Sequence, residues 1–426
     1  MTVTAARPIR LAILLSHPVQ YFAPVFRELA KRPDVDLTVI YCRLDGAKMY
    51  FDPEFARDIR WDTPLLDGYR HKVLRGWDLR GATGPLAYLA PSIMSEIKAE
   101  NYDASIVFGW AYLTCWLAFA KARWESIPWV LYGDTSVTYE KGKRGLKGWL
   151  RRMLLRALFK RTSAFLTSGA FNALFYEFHG VRARASFDAP FAIDNELFSN
   201  GARTAWTRRA EIRRGLGIPP HAIVLLFVGK LASHKRPQDL LHVLENLRRD
   251  HANLAAVFVG DGPLRKTLES EVASRDIANV FFLGFRNQST LPPIYAASDV
   301  LVLPSSREAK ALVTNEAMAC GLPVIVSDRT AVWGPSELVR DGENGFVFPA
   351  GDLAALTGAV RRLVTDAPLR ERMGKRSREI VGSFTPARCA KAIVAAARFA
   401  CHRASVLPVP VPPAGNAYPD ERHCQP

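Results

Sequence analysis

Short apolar runs recur along the chain, each followed by a polar turn and then by a segment whose apolar residues fall at helical spacing. In the first half, IRLAILLS precedes a helix near 23–31, DLTVIYC follows, ASIVFGW leads into a helix through Arg123, and PWVLYGD comes next. SAFLTSG, a helix near 170–179 and FAIDNELF complete that series. Apolar strands alternating with helices predict a parallel sheet covered on both faces. Residues 200–220 are polar and turn-rich and read as a linker. A second series then opens with IVLLFVGKL and a helix from Pro237 to about Arg249. It continues through LAAVFVGDG, a helix to Ser274, NVFFLGF, a helix around 291–297, DVLVLPS and PVIVSD, and reaches the turn-rich DGENGFVFPAGD. There is no fixed-period repeat beyond this two-fold echo. A late amphipathic helix near 387–403 is followed by LPVPVPPAGNAYPDERHCQP, which is Pro-rich and predicted to be disordered.

The stretch ASIVFGWAYLTCWLAFA (104–120) carries no charge, but it falls just below membrane-spanning length and contains Ser105, Gly109 and Thr114. It reads as strand, turn and buried helix. A chain of 426 residues, 49% hydrophobic and 23% charged, has material for two or three globular domains. Its net charge of +16 changes the picture, because it predicts attraction to polyanions: nucleic acid, an anionic membrane face or diphosphate ligands. Cys42, Cys115, Cys320, Cys389, Cys401 and Cys424 show no paired spacing, which argues against a disulfide framework or zinc site and for a reducing compartment. The run 11–15 is cut short by Ser16, His17 and Pro18; it is too short for a signal peptide and reads as a first strand.

Three segments carry candidate chemistry. In EAKALVTNEAMACGLPVIVSD, Glu308 and Glu316 stand eight residues apart, about 12 Å if helical throughout. That separation suits two ends of one elongated polar ligand. A helix beginning near Val313 turns its amides, and partial positive charge, toward the preceding loop, where a phosphate could be held. In IVLLFVGKLASHKRP, Gly229, Lys230 and Lys235 follow a buried strand, so backbone and cations can both approach a diphosphate. In VFVGDGPLRKTL, Gly260 and Gly262 miss the dinucleotide fingerprint because Arg265 stands in place of its third glycine.

With a Glu–seven residues–Glu motif continuing into EAMACGLPVI, the chain resembles the nucleotide-sugar glycosyltransferases of family 4. The resemblance implies an α/β fold of the GT-B type: two Rossmann-like domains facing across a cleft, with the C-terminal helix crossing back to the N-terminal domain. It implies an acceptor domain over 1–198 with the returning helix 386–403, a nucleotide-sugar domain over 199–385 and a tail from 404 to 426. Lys230 stands where the family usually has arginine and Lys235 where it has lysine, both toward the donor diphosphate. Gly262 lies on a loop bordering the nucleotide, and Phe282, Leu283, Gly284 and Phe285 form a wall for its base. Glu316 is implied to hold the ribose hydroxyls, Glu308 to sit by the transferred sugar, and the amides of Ala311 and Leu312 to bind phosphate. Ala309, Lys310 and Ala311 replace the family's common Gly-Phe-Gly, which restricts the loop and adds a charge beside the sugar. In the N-terminal half, His17, beside Ser16 and Gln20, faces the diphosphate or acceptor, and Asp134 is the candidate for engaging the acceptor hydroxyl. Each has a plainer reading, His17 as a turn histidine and Asp134 as a helix N-cap.

Lys141–Arg161, KGKRGLKGWLRRMLLRALFKR, holds nine basic residues and no acidic one. Trp149, Leu150, Met153, Leu154, Leu158 and Phe159 recur there at helical spacing. The segment reads as a basic helix on an anionic membrane surface, or as a helix burying its apolar stripe with its cations outward. Asp34-Val35-Asp36 reads as a turn, so no metal is expected, and no cofactor. These readings combine into a metal-independent, retaining glycosyltransferase. It moves a sugar from a nucleoside diphosphate, UDP- or GDP-linked, to a hydroxyl of a saccharide or lipid-linked acceptor in cell-surface polysaccharide or glycolipid synthesis. The expected place is the cytoplasm, peripheral at the inner membrane face. A nucleotide-sugar epimerase of the same fold and a non-catalytic basic membrane- or nucleic-acid-binding protein are the alternatives. Nucleic acid is disfavoured because the basic segment lacks interleaved stacking aromatics along a groove.

Overall fold

The apolar runs form two separate parallel sheets in the computed structural model, which describes residues 7–52, 55, 57–77, 84–141 and 145–405. In chain order the strands begin with β1 (Ile9–Leu15) and β2 (Val35–Tyr41). A short antiparallel hairpin follows, β3 (Tyr50–Asp52) with β4 (Arg57–Ile59). Next come β5 (His71–Val73), β6 (Ala104–Phe108), β7 (Trp129–Tyr132), β8 (Ala164–Thr167) and β9 (Ser186–Asp188). The second series is β10 (Ile223–Val228), β11 (Leu254–Val259), β12 (Val280–Gly284), β13 (Val300–Leu303), β14 (Val324–Ser327) and β15 (Gly345–Phe348).

Among the described residues, one unit comprises residues 7–49, 64–192 and 386–405. Its sheet has the order β5-β2-β1-β6-β7-β8-β9, with every pairing parallel. Leu11 to Leu15 are all buried, as a strand with helices on both faces requires. Ile13, Val39, Ile106 and Val130 share a core with Phe26 and Leu29 of the helix Ala23–Ala30. The helix Pro386–Ser405 closes that core with Cys389, Ile393, Ala396, Ala397 and Ala400, and its small residues permit a close approach to the sheet. Arg398 holds Asp34 at 2.7 Å, tying the helix to the turn before β2. The chain therefore returns to its first unit, as the family resemblance implies. Cys42 and Cys115 are buried there, which pushes their thiols up to about 12 and about 11 and disfavours the thiolate.

The other unit comprises Tyr50–Thr63 and Ile193–Thr385. Its sheet order is β12-β11-β10-β13-β14-β15, again all parallel. The order reverses between β10 and β13, which pair through Leu225 and Val300. In open α/β sheets the ligand crevice forms outside the carboxyl ends of the strands at such a reversal. The loops leaving β10 and β13 are those that carry Lys230, Lys235 and Glu308.

Three expectations are corrected. Residues 200–220 are not a linker but largely helical, in Asn195–Trp206 and Arg209–Gly215. Asp194 caps the first through the Leu197 amide, at 3.0 Å. Buried Arg213 fixes the second by donating to the carbonyls of Ala297, Pro220 and Ala222 and to Asp299. FAIDNELF is not a strand; Ser186–Asp188 takes the edge position, and a helix begins at Asn195. Residues 50–63, assigned by sequence to the N-terminal domain, belong to the second unit. The Pro-rich tail from 406 lies outside the described residues.

Candidate functional site

The site is built from the loops at the carboxyl ends of β10, β11, β12 and β13. Gly229 leaves β10 with φ +150. Behind it, Gly262 has φ +151, and a Cβ there would lie 2.7 Å from the Leu231 carbonyl oxygen, so only glycine lets the two loops meet. Backbone hydrogen bonds join the loops: Leu231 N–H to the Asp261 carbonyl, Leu264 N–H to the Leu231 carbonyl and Gly260 N–H to the Gly284 carbonyl, each 2.9 Å. The loop after β13 joins them through the Ser306 N–H to the His234 carbonyl at 2.8 Å, so four loops satisfy one another's polar groups and form one surface.

Lys230 and Lys235 project from this surface half-buried. Lys230 Nζ lies 3.3 Å from Asp52 Oδ2, contributed by the β3–β4 hairpin. Lys235 forms an ion pair with Glu308. The Glu308 backbone is pinned on both sides, its N–H donating to the Arg329 carbonyl (3.2 Å) and its carbonyl accepting from Ala331 N–H (2.9 Å). Ala309, Lys310 and Ala311 follow. None of them adopts a positive φ, so the alanines standing where the family has glycines cost this loop nothing in backbone strain. Ala311 is the N-cap and Leu312 the first residue of the helix Leu312–Ala319, one residue earlier than the sequence predicts. Their amides stand at its positive end, beside the Glu308 loop.

Glu316, in the second turn, is 1% exposed, and its Oε2 accepts a 2.7 Å hydrogen bond from the hydroxyl of fully buried Tyr295. Tyr295 lies in the apolar segment LPPIYAA, which reads as core, and nothing in the sequence marked it as a partner of Glu316. Phe285 faces the hairpin, edge to face with Phe55 at 5.2 Å and 5.9 Å from Trp61. Phe282 does not belong to that wall. It stacks on Phe258 at 5.0 Å and packs against the core of the unit.

Gly229, Lys230, Lys235, Gly262, Phe285, Glu308, Ala311, Leu312 and Glu316 thus gather at the carboxyl end of one sheet. His17 and Asp134 belong to the first unit, after β1 and β7. The Nδ1 of His17 is 2.9 Å from Ser16 Oγ, and its ring stacks on Tyr88 at 5.6 Å. Tyr88 in turn lines a cavity of ≈ 360 Å³ with Arg43, Asp45, Lys48 and Trp77. Asp134 is exposed and is not a helix cap; Ser136 Oγ accepts from the Thr138 N–H at 3.3 Å and takes that role. Among the described residues, no group of three His, Cys, Asp or Glu side chains is arranged to hold a metal ion.

The basic segment forms the helix Gly145–Arg161; residues 142–144 lie outside the described residues. Its apolar residues do not share one stripe. At about 100° per residue, Leu146, Trp149, Leu150, Met153 and Leu154 fall within an arc of about 140°, and all five are exposed, Leu146 by 71%. Leu155, Leu158 and Phe159 occupy the opposite face and are buried. Lys147 on one flank and Arg152 and Arg156 on the other separate the two faces. Arg151 instead turns inward to the buried carboxylate of Glu140.

Residues 208–380 match the family model described as "Glycosyl transferases group 1". Over 169 residues the chain is 33% identical to alpha-D-kanosaminyltransferase of Streptomyces kanamyceticus, covering 39% of this chain and 43% of that protein. Over 203 residues it is 36% identical to D-inositol 3-phosphate glycosyltransferase of Corynebacterium diphtheriae, 46% of each. The chain spans about half the length of the curated relatives it matches. In fold it resembles sucrose-phosphate synthase from Thermosynechococcus elongatus, with a TM-score of 0.68, 21% identity and coverage of 92% of this chain and 98% of that one. It also resembles Anabaena Alr3699/HepE, solved in complex with UDP, with a TM-score of 0.67, 17% identity and coverage of 91% and 99%.

Proposed function

We propose, from the match of residues 208–380 to the model described as "Glycosyl transferases group 1", that this protein transfers a sugar from a nucleoside diphosphate to a hydroxyl of a saccharide or lipid-linked acceptor. The observation that carries this is the convergence of Lys230, Lys235, Glu308 and the N-terminus of the helix Leu312–Ala319 at the reversal between β10 and β13. Two cations and a helix end suit a diphosphate, and carboxylates on either side suit polyhydroxylated groups at its two ends. A relative is named for inositol phosphate glycosylation and a structural neighbour binds UDP, which supports a nucleotide-sugar donor.

In the reaction we infer, the bond from the anomeric carbon to the donor phosphate breaks and the diphosphate leaves with its electron pair. The lysines and helix amides neutralise that charge without a metal ion. The acceptor oxygen bonds to the anomeric carbon from the face the diphosphate leaves, so configuration is retained, and its proton passes to the departing phosphate oxygen. Glu308 orients the sugar and Glu316 the ribose. We assign His17 and Asp134 to the acceptor. A thermal-shift panel of UDP-, GDP-, ADP- and dTDP-sugars tests this: one class should stabilise the protein, and Lys235→Ala should abolish the shift. No stabilisation by any of them would overturn the reading.

We also propose that the enzyme works at the inner face of the cell membrane, in assembly of a cell-surface polysaccharide or glycolipid. Support comes from the exposed apolar arc on Gly145–Arg161, flanked by cations, which matches an interfacial helix that inserts shallowly among anionic lipids. The protein should sediment with phosphatidylglycerol-containing vesicles and not with pure phosphatidylcholine. Changing Trp149, Leu150 and Leu154 to Ser should release it; retained binding would refute the membrane role.

A further inference from the structure

The connection from β2 to β5 does more than join two strands. Its hairpin lies on the donor loops and touches both ends of the site. At the phosphate end, Asp52, 8% exposed, holds its carboxylate 3.3 Å from Lys230 Nζ, and the Phe55 ring lies 4.9 Å from the same Nζ. At the base end, Phe55 and Trp61 meet Phe285 at 5.2 and 5.9 Å. The Arg57 guanidinium lies 5.2 Å from that ring and 3.9 Å from Asp261. Two further bonds fasten the segment: Asn287 Nδ2 donates to the Arg60 carbonyl (3.0 Å) and Ser289 Oγ donates to Asp62.

Charge and space both decide what this contact does. A diphosphate on Lys230, with Asp52 still in place, would put like charges within about 4–6 Å, a range at which they disfavour one another. A base lying against Phe285 needs a free part of that ring, and Phe55 and Trp61 already pack on it at 5.2 and 5.9 Å.

We propose that the β3–β4 hairpin is an intramolecular competitor of the donor: Asp52 occupies Lys230 as a phosphate would, Phe55 and Trp61 cover the base wall, and the hairpin lifts when donor enters. This rests on the nucleotide-sugar reading of the same loops. Donor affinity is then set by the exchange of one anion for another, and any change that loosens the hairpin raises it.

The test is calorimetric titration of the full chain with UDP, GDP and inorganic pyrophosphate, comparing wild type, Asp52→Asn and Phe55→Ala. Asp52→Asn keeps the shape and removes the competing charge. It should bind pyrophosphate, and whichever nucleotide the wild type binds, about tenfold more tightly, ~1.4 kcal/mol. Phe55→Ala loosens the hairpin at both of its contacts and should tighten the nucleotide and, to a smaller degree, pyrophosphate, which keeps the test available should Asp52→Asn fail to fold. Equal or weaker binding by Asp52→Asn, or equal nucleotide binding by Phe55→Ala, overturns the competitor role while leaving the donor site intact. If wild type and variants bind none of the three ligands, the donor reading fails and this inference with it.

Discussion

Replacing Glu316 by Gln isolates its chemistry from its packing. The side chain is 1% exposed and accepts 2.7 Å from Tyr295, itself fully buried. Glu316→Ala would remove that acceptor and leave the tyrosine hydroxyl unpaired in the interior, a cost of about 1–3 kcal/mol before any cavity is counted. A loss of donor binding in the Ala variant could then be a loss of fold. Gln has nearly the same volume and keeps an amide oxygen for Tyr295, so stability should change by less than about 1 kcal/mol. It removes the charge, however, and hydrogen bonds to a charged group are worth about 1.5–3 kcal/mol. Donor affinity should therefore fall roughly 10- to 150-fold. The assay pairs calorimetric titration, using the nucleotide sugar that stabilises wild type, with thermal unfolding of both proteins. Unchanged donor affinity in a folded Gln variant would refute the ribose role. A fall in unfolding temperature as large as that of Glu316→Ala would show instead that the carboxylate is structural.

Arg213→Ala removes donors to three carbonyls and a partner of Asp299, and should cost about 3 kcal/mol in urea unfolding; a loss within error would mean the helix Arg209–Gly215 is held by its apolar contacts alone. Gly262→Ala adds a Cβ 2.7 Å from the Leu231 carbonyl oxygen at φ +151, so donor affinity should drop with the shape of the 229–231 loop, and retained affinity would show that this loop moves freely. Burial lowers the His179 imidazole from 6.5 to about 4, against the opposing pull of Glu140 and with help from Arg151, Arg152 and Arg156. The unfolded chain therefore takes up a proton below pH 6.5 that the folded one refuses until about pH 4, and stability should fall as pH drops through that window. His179→Gln should flatten that part of the curve, and an unaltered slope would show that other groups set it.

The local pattern by itself determined the two αβ series, because a strand buried on both faces must be apolar throughout and helices repeat at their own period. It also placed Gly229, Lys230, Lys235 and Glu308 in the loops that follow apolar runs, and Glu316 inside the helix after the last of them. It did not reveal that residues 200–220 are helical, because their anchor is Arg213 reaching carbonyls and Asp299 up to 86 residues away. Nor could periodicity separate the residues of the basic segment. Six apolar side chains at helical spacing look like one stripe until the neighbours of Leu155, Leu158 and Phe159 leave the opposite face exposed. Only the tertiary structure paired Asp52 with Lys230 across 178 residues and buried Glu316 against Tyr295. Such contacts are decided by which loops the folded sheet brings to one edge, and no short-range pattern in the chain encodes them.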